Sequence, residues 1–205
     1  MTDTPITVKS GKGIGDGVVS ELTVFFGVQP GHEDELRAAC QRHADALHAA
    51  SPESHLEVGL RDWKHVIFDN GRRLMLITSF DTDWDPYVDD AVSNIGVERW
   101  IDWMQHTVEA EQLAAAVGGT GRPGERSSAE LEQAVTAGSA QLKQILQAAQ
   151  VQATTYWNAL ADLTMSEIRK AQRVEQAFQQ VLDDPAAPQA LQQPALAPLL
   201  ERAAD

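Results

Sequence analysis

The sequence predicts an α+β fold, and three observations carry that reading. The run Glu21–Val28, ELTVFFGV, is rich in β-branched and aromatic residues, as strands are. Asn70-Gly71, the preferred pair of a two-residue hairpin turn, lies between HLEVGLRDWKHVIF and RRLMLITSF. Between and after these runs, apolar residues recur at helical spacing.

Taken in order, residues 1–17 hold Gly11, Gly13, Gly15 and Gly17 and read as a flexible arm. The strand 21–28 is broken by Pro30-Gly31. Leu36, Ala39, Cys40, His43, Ala44 and Leu47 then share one helical stripe. Glu33, Asp34 and Glu35 occupy the first turn, where the helix dipole favours carboxylates, and Ser51-Pro52 ends the helix. With Asn70 and Gly71 as the hairpin loop, Phe68 faces Arg73, His65 faces Leu76 and Trp63 faces Thr78. One sheet face then holds Arg61, Trp63, His65, Ile67, Leu74, Leu76, Thr78 and Phe80. The other holds Asp62, Lys64, Val66, Phe68, Met75, Ile77 and Ser79. Both contain several apolar residues, so both are expected to be covered.

Asp85 suits an N-cap and Pro86 the first helical position, with Gly96 interrupting the helix. A second helical stripe follows in Val97, Trp100, Ile101, Met104 and Val108, up to Gly118-Gly119. GGTGRPGER reads as a loop, and Ser127 with Glu130 as a capping box. That box opens a helix striped by Leu131, Val135, Leu142, Ile145, Leu146 and Ala149. VQATTYW, 151–157, alternates and is expected to be the fourth strand. Thr164 and Glu167 form another capping box before a stripe of Ile168, Ala171, Val174, Phe178 and Val181. Residues 185–205 are a proline-rich tail.

This order is the split βαββαβ arrangement of ferredoxin-like domains with additional C-terminal helices. The chain divides into the arm 1–17, one domain 18–184 with a helical insert 97–149, and the tail. A four-stranded antiparallel sheet has helices on one face only, and a second copy is the expected cover for the other. A homodimer of the dimeric α/β-barrel type follows.

Charge and composition narrow the function. Sixteen Lys and Arg against 30 Asp and Glu leave a net charge of −14, which opposes binding to nucleic acid or anionic membranes through a general field. No run approaches the ~18 apolar residues of a membrane span, and the start lacks a signal peptide's apolar core, so a cytoplasmic location is expected. Cys40 is the single cysteine, which excludes an internal disulfide and a thiolate zinc cluster. The run Asp81, Asp83, Asp85, Asp89, Asp90 fails as an EF-hand, because Pro86 and Val92 stand where Gly and Glu are required. No metal site is expected.

The blocks LRDWKHVIFDNGRRLMLITSFDTDWDPYVDDAV and TTYWNALADLTMSEIRKAQRVEQAFQQVLDD resemble an uncharacterised bacterial family. The resemblance covers roughly residues 23–184. Thr82 stands where that family usually has Gly, and Tyr156-Trp157 where it has Phe-Tyr. The family is similar in fold to the dimeric α/β-barrel superfamily, which includes dye-decolourising haem peroxidases, chlorite dismutases and small monooxygenases. Gly13–Gly17, GIGDG, fits the G-x-x-D-G pattern of those peroxidases. The resemblance implies haem, with Asp16 as its distal proton shuttle. Haem also needs an axial ligand, for which His106 is the candidate, with Asp102 one turn earlier to orient it. On the helical wheel, however, His106 lies opposite the apolar stripe, which favours the reading of a solvent-facing residue.

His43 and His65 fall on faces expected to be buried. Arg61 and Trp63 share the sheet face of His65, so these three could line a pocket with one cation, one titratable ring and one flat apolar wall, with His43 on the inner stripe of its helix as a further candidate. The functional expectation is a small oxidoreductase, peroxidase- or monooxygenase-like, acting on a small hydrophobic or aromatic molecule. The alternative is a non-catalytic ligand-binding or accessory protein, with the acidic surface or the tail meeting a protein partner.

Overall fold

The hairpin expected at Asn70-Gly71 forms in the register expected. β3 (Leu60–Phe68) pairs with β4 (Arg73–Phe80), with Phe68 opposite Arg73, His65 opposite Leu76 and Trp63 opposite Thr78. Asn70 and Gly71 both have positive φ, 53° and 84°, and Arg72 N–H donates to Asp69 O at 3.2 Å. Asp69 shares this left-handed backbone at φ 53°, a conformation that Asn, Asp and Gly adopt most readily.

A computed structural model describes residues 13–81, 83–112 and 140–203. The expected loop 118–126 and the capping box at Ser127 and Glu130 lie outside the described residues. The chain falls into two units, residues 1–165 and 166–205.

In the first unit, β1 (Ile14–Asp16), β2 (Val19–Gly27), β4 and β3 form one antiparallel sheet in that order. Two expectations are corrected here. Part of the arm is a strand: β1 turns at Gly17 and pairs back on β2, with Asp16 opposite Val19. A side chain at Gly17, where φ is +57°, would sit 2.1 Å from Ala161 O, so only glycine fits. The stretch 151–157, in turn, is not a strand. It is reduced to a bridge between Gln150 and Val24 and a bond from Val151 N–H to Thr23 O. The outer edge of β2 is already shared by β1, residues 150–151 and Thr107, which leaves no row of free backbone groups for a full strand. Beyond Val151 the chain leaves that edge, and Tyr156 OH reaches Ser79 Oγ at 3.4 Å.

The helices follow their caps. α1 (Glu33–Ala49) buries Leu36, Ala39 and His43. A short helix not expected from the sequence, α2 (Pro52–Val58), replaces the start of the supposed strand. Ser51 Oγ accepts from Ser54 N–H, Pro52 occupies N1, and Gly59 closes the helix at φ 67°. α3 (Trp84–Ile95) starts with Asp83 as N-cap, two residues before the expected Asp85. Pro86 is tolerated inside this first turn because its missing N–H would have had no intrahelical partner. Gly96 separates α3 from α4 (Val97–Met104), as expected. The chain then turns back on β2 through Val108 N–H to Gly27 O, leaving Val108 58% exposed and off the expected stripe. Residues 140–149 form α5.

The core lies on one face of the sheet. Leu22, Val24, Phe26, Leu74, Leu76 and Phe80 meet Leu36 and Ala39 of α1, Tyr87, Val88 and Val92 of α3, and Trp100, Ile101, Trp103 and Met104 of α4. On the other face, the hairpin half stays partly open: Phe25, Phe68, Met75 and Ile77 are half-buried and Val66 is 38% exposed. Arg73 lies over the Phe25 and Phe68 rings, 5.5 and 5.3 Å from their centroids.

The second unit carries α6, which runs Met165–Leu182, the short α7 (Ala187–Ala190) and α8 (Ala197–Ala203). The tail is thus partly helical. No side chain of α6 is buried, and Val174 and Val181 of its apolar stripe are 59% and 46% exposed. No described helix is long and apolar enough to cross a membrane.

Candidate functional site

Five rings from three elements meet between the sheet and its helical cover. α1 supplies His43, β3 supplies Trp63 and His65, and α4 supplies Trp100 and Trp103. The strand alternation puts Trp63 and His65 on the helix-covered face, and the α1 stripe aims His43 at the same face. His43 stacks on Trp63 with centroids 4.7 Å apart and planes at 22°. His65 stands edge-on to His43 at 5.4 Å and against Trp103 at 5.0 Å, while Trp100 lies 5.1 Å from Trp63.

Hydrogen bonding sets the two imidazole tautomers. Trp63 Nε1–H can only donate, so His65 Nδ1, at 3.4 Å, accepts and the neutral ring carries its proton on Nε2. His43 Nδ1 lies 3.5 Å from Arg99 O, which only accepts, so Nδ1 is protonated and Nε2 keeps its lone pair. Both rings are neutral at physiological pH. Burial pushes His43 down to about 4; burial and then the neighbouring His43 push His65 down to about 3.

Four ring nitrogens of this cluster are buried with no partner among the described residues: His43 Nε2, His65 Nε2, Trp100 Nε1 and Trp103 Nε1. Three are N–H donors and one is an acceptor. Leaving such a group unpaired costs about 1–3 kcal/mol. A groove of about 350 Å³ is lined by Arg37, Cys40, Gln41 and Ala44 of α1 and Trp63, His65 and Ile67 of β3, so of these four rings only His65 reaches it. Burial pushes the Cys40 thiol up to about 12, so it is a wall and not a nucleophile.

Of the expected pocket residues Trp63 and His65 line the groove, His43 packs on both of their rings without lining it, and Arg61 lies elsewhere. The β3–β4 register shifts between Leu60 and Asp62, and the bulge at Arg61 breaks the alternation that would have placed it beside Trp63. Its guanidinium pairs with Asp81 at 2.5 Å and donates to Leu163 O; both side chains are 7% exposed. Trp103 and Trp100 were not singled out for the site. Trp103 sits off the stripe of 100, 101 and 104, yet is fully buried because its ring packs on Phe26 and His65.

The residues named for haem do not fit one haem. Asp16 pairs at the first residue of β2, whereas His106 O accepts from Gln29 N–H just beyond its last. At ~3.3 Å per strand residue these positions are on the order of 30 Å apart, too far to flank one ring system. Asp16 Oδ2 instead accepts from Asn158 N–H at 2.9 Å. Asp102 does not orient His106, because Arg42 holds both its oxygens at 2.7 and 2.8 Å. Among the described residues no three His, Cys, Asp or Glu side chains form a metal cage.

Fold and site together define an α+β protein with a four-stranded antiparallel sheet and an aromatic–histidine groove at its edge strand. No protein-family model matches the chain, nor does any curated protein or solved structure compared with it.

Proposed function

We propose that the protein binds a small, flat aromatic molecule bearing a hydroxyl or carbonyl oxygen, seated in the α1–β3 groove against Trp63 and His65. The carrying observation is that Trp63 and His65 line that groove together, His65 with a buried Nε2 that has no partner among the described residues. Trp63 offers a flat wall. His65 Nε2–H can donate to an oxygen, whereas His43, stacked on Trp63 and 1% exposed, would have to move to bring its Nε2 to a hydroxyl. Arg37 and Gln41 supply polar groups at the rim. Non-catalytic ligand binding is the reading this chemistry supports best.

Oxidoreduction of the same molecule is the second reading, favoured by the free lone pair of His43, which could take a hydroxyl proton. A base with a pKa pushed down to about 4 is weak, however, and suits only an acidic hydroxyl. The ferredoxin-like arrangement belongs to the proposal too. It is supported by the order β2-β4-β3, with Gln150 and Val151 pairing on β2 where a final strand would pair. So does the homodimer, whose support is the half-open patch of Phe25, Val66, Phe68 and Met75, with a second copy as its occupant.

Titration with 2-naphthol, read through tryptophan fluorescence, tests the site. Trp63→Ala should weaken binding about tenfold, which is 1.4 kcal/mol. His65→Gln should weaken it with little change in melting temperature. Equal affinity in all three proteins would place the site elsewhere. Consumption of peroxide or oxygen with the bound naphthol, abolished by His43→Gln, would favour the oxidoreductase reading.

A further inference from the structure

We propose that His32 and His106 form a two-nitrogen clamp for a divalent transition-metal ion at the junction of α1 and α4. His32 is the residue before α1 and His106 follows the last turn of α4. Their Nδ1 atoms lie 3.1 Å apart, and the rings are tilted at 58° with centroids at 5.3 Å. Imidazole binds zinc at ~2.0–2.1 Å, so nitrogens at this separation subtend an angle of about 100° at a shared ion. That value lies between the square and tetrahedral coordination angles. Imidazole pairs suit Cu²⁺, Ni²⁺ and Zn²⁺, whereas Ca²⁺ and Mg²⁺ prefer oxygen.

The clamp is held in place by backbone. Gln29 N–H donates to His106 O at 3.0 Å, and Gln29 Nε2 donates to Gln105 O and Thr107 O at 3.2 and 2.7 Å. His32 N–H in turn donates to Gln29 O at 3.1 Å. One residue, through its backbone and side chain together, therefore stitches the two histidine-bearing segments before any ion arrives, and both histidines stay half-exposed and reachable. Two protein nitrogens leave the remaining coordination positions to water. Because α1 carries His43 and α4 carries Trp100 and Trp103, an ion here would fix the helices that build the aromatic cluster.

Calorimetric titration of the full chain with Ni²⁺ at pH 7.5 tests the clamp, with His32→Gln, His106→Gln and His48→Gln compared. His48 lies in the last turn of α1, away from the pair. Each of the first two substitutions should weaken binding at least tenfold, and His48→Gln should leave it unchanged. Cu²⁺ should quench the fluorescence of Trp103, three residues from His106, and lose that effect in both clamp variants. Far-UV circular dichroism confirms that the variants are folded. Affinities within twofold of the parent in His32→Gln and His106→Gln, or an equal loss in His48→Gln, would overturn the proposal.

Discussion

Acidification from pH 6.5 to 4.5 should strip the protein of much of its stability. His43 and His65 are buried neutral, with pKa values pushed down to about 4 and about 3, while the unfolded chain titrates them near the ordinary ~6.5. Their contribution is complete above the unfolded pKa. As the pH falls below it, the unfolded state binds protons that the folded state refuses, and stability falls until the folded pKa is reached. Each ring contributes a slope of about 1.4 kcal/mol per pH unit in that window. Two such slopes sum to several kcal/mol by pH 4.5, comparable with the ~5–15 kcal/mol that stabilises a typical domain. Glu21 and Glu109 act in the opposite direction. Burial raises both, so their share of stability grows as the pH falls through their folded values, and it offsets part of the loss. Urea unfolding across this range should show the steep dependence in the parent and a flatter one in His43→Gln/His65→Gln. A parent whose stability is level from pH 6.5 to 4.5 would contradict burial of the two rings.

Asp81→Ala should cost about 3–5 kcal/mol, because it leaves the Arg61 guanidinium buried without its charge partner. The loss reaches beyond one pair. Asp81 also accepts from Met165 N–H, and Arg61 donates to Leu163 O, so the two side chains tie the β3 bulge to residues 163–165. A chain of this length loses ~2–4 °C of melting temperature per kcal/mol, so a fall of about 10 °C or more is expected. Replacing both partners, Arg61→Met with Asp81→Leu, should recover the part due to the stranded charge but not the part due to the bonds to Met165 N–H and Leu163 O. A double variant as unstable as Asp81→Ala plus Arg61→Met together would mean that the two groups act independently.

How much of this was legible in the chain depends on the distance over which each feature is decided. The hairpin was legible because Asn70-Gly71 dictates its own backbone, and its register then carried Trp63 and His65 to the covered face. The α1 stripe likewise carried His43 inward. α2 had its signals in Ser51-Pro52 and Gly59, but the apolar Leu56, Val58 and Leu60 read as strand alternation. Other features depend on competition between distant segments. The alternation of 151–157 describes a strand only if a sheet edge is free, and residues 14–16 had taken part of that edge. Arg61 left its expected face because a bulge has no alternation signal of its own. The pairing of His32 with His106 spans 74 residues and left no local trace.

The central claim, that His43 and His65 are neutral rings and that His65 Nε2–H meets the proposed ligand, is tested most directly by long-range ¹H–¹⁵N spectra of the histidine side chains. The account predicts the Nδ1–H tautomer for His43 and the Nε2–H tautomer for His65, both unchanged from pH 7 down to about 5.5. It further predicts that 2-naphthol shifts the Nε2 resonance of His65 and leaves His48 and His55 where they were. Rings that titrate near pH 6.5 like exposed histidines, or that ignore every aromatic probe, would contradict it.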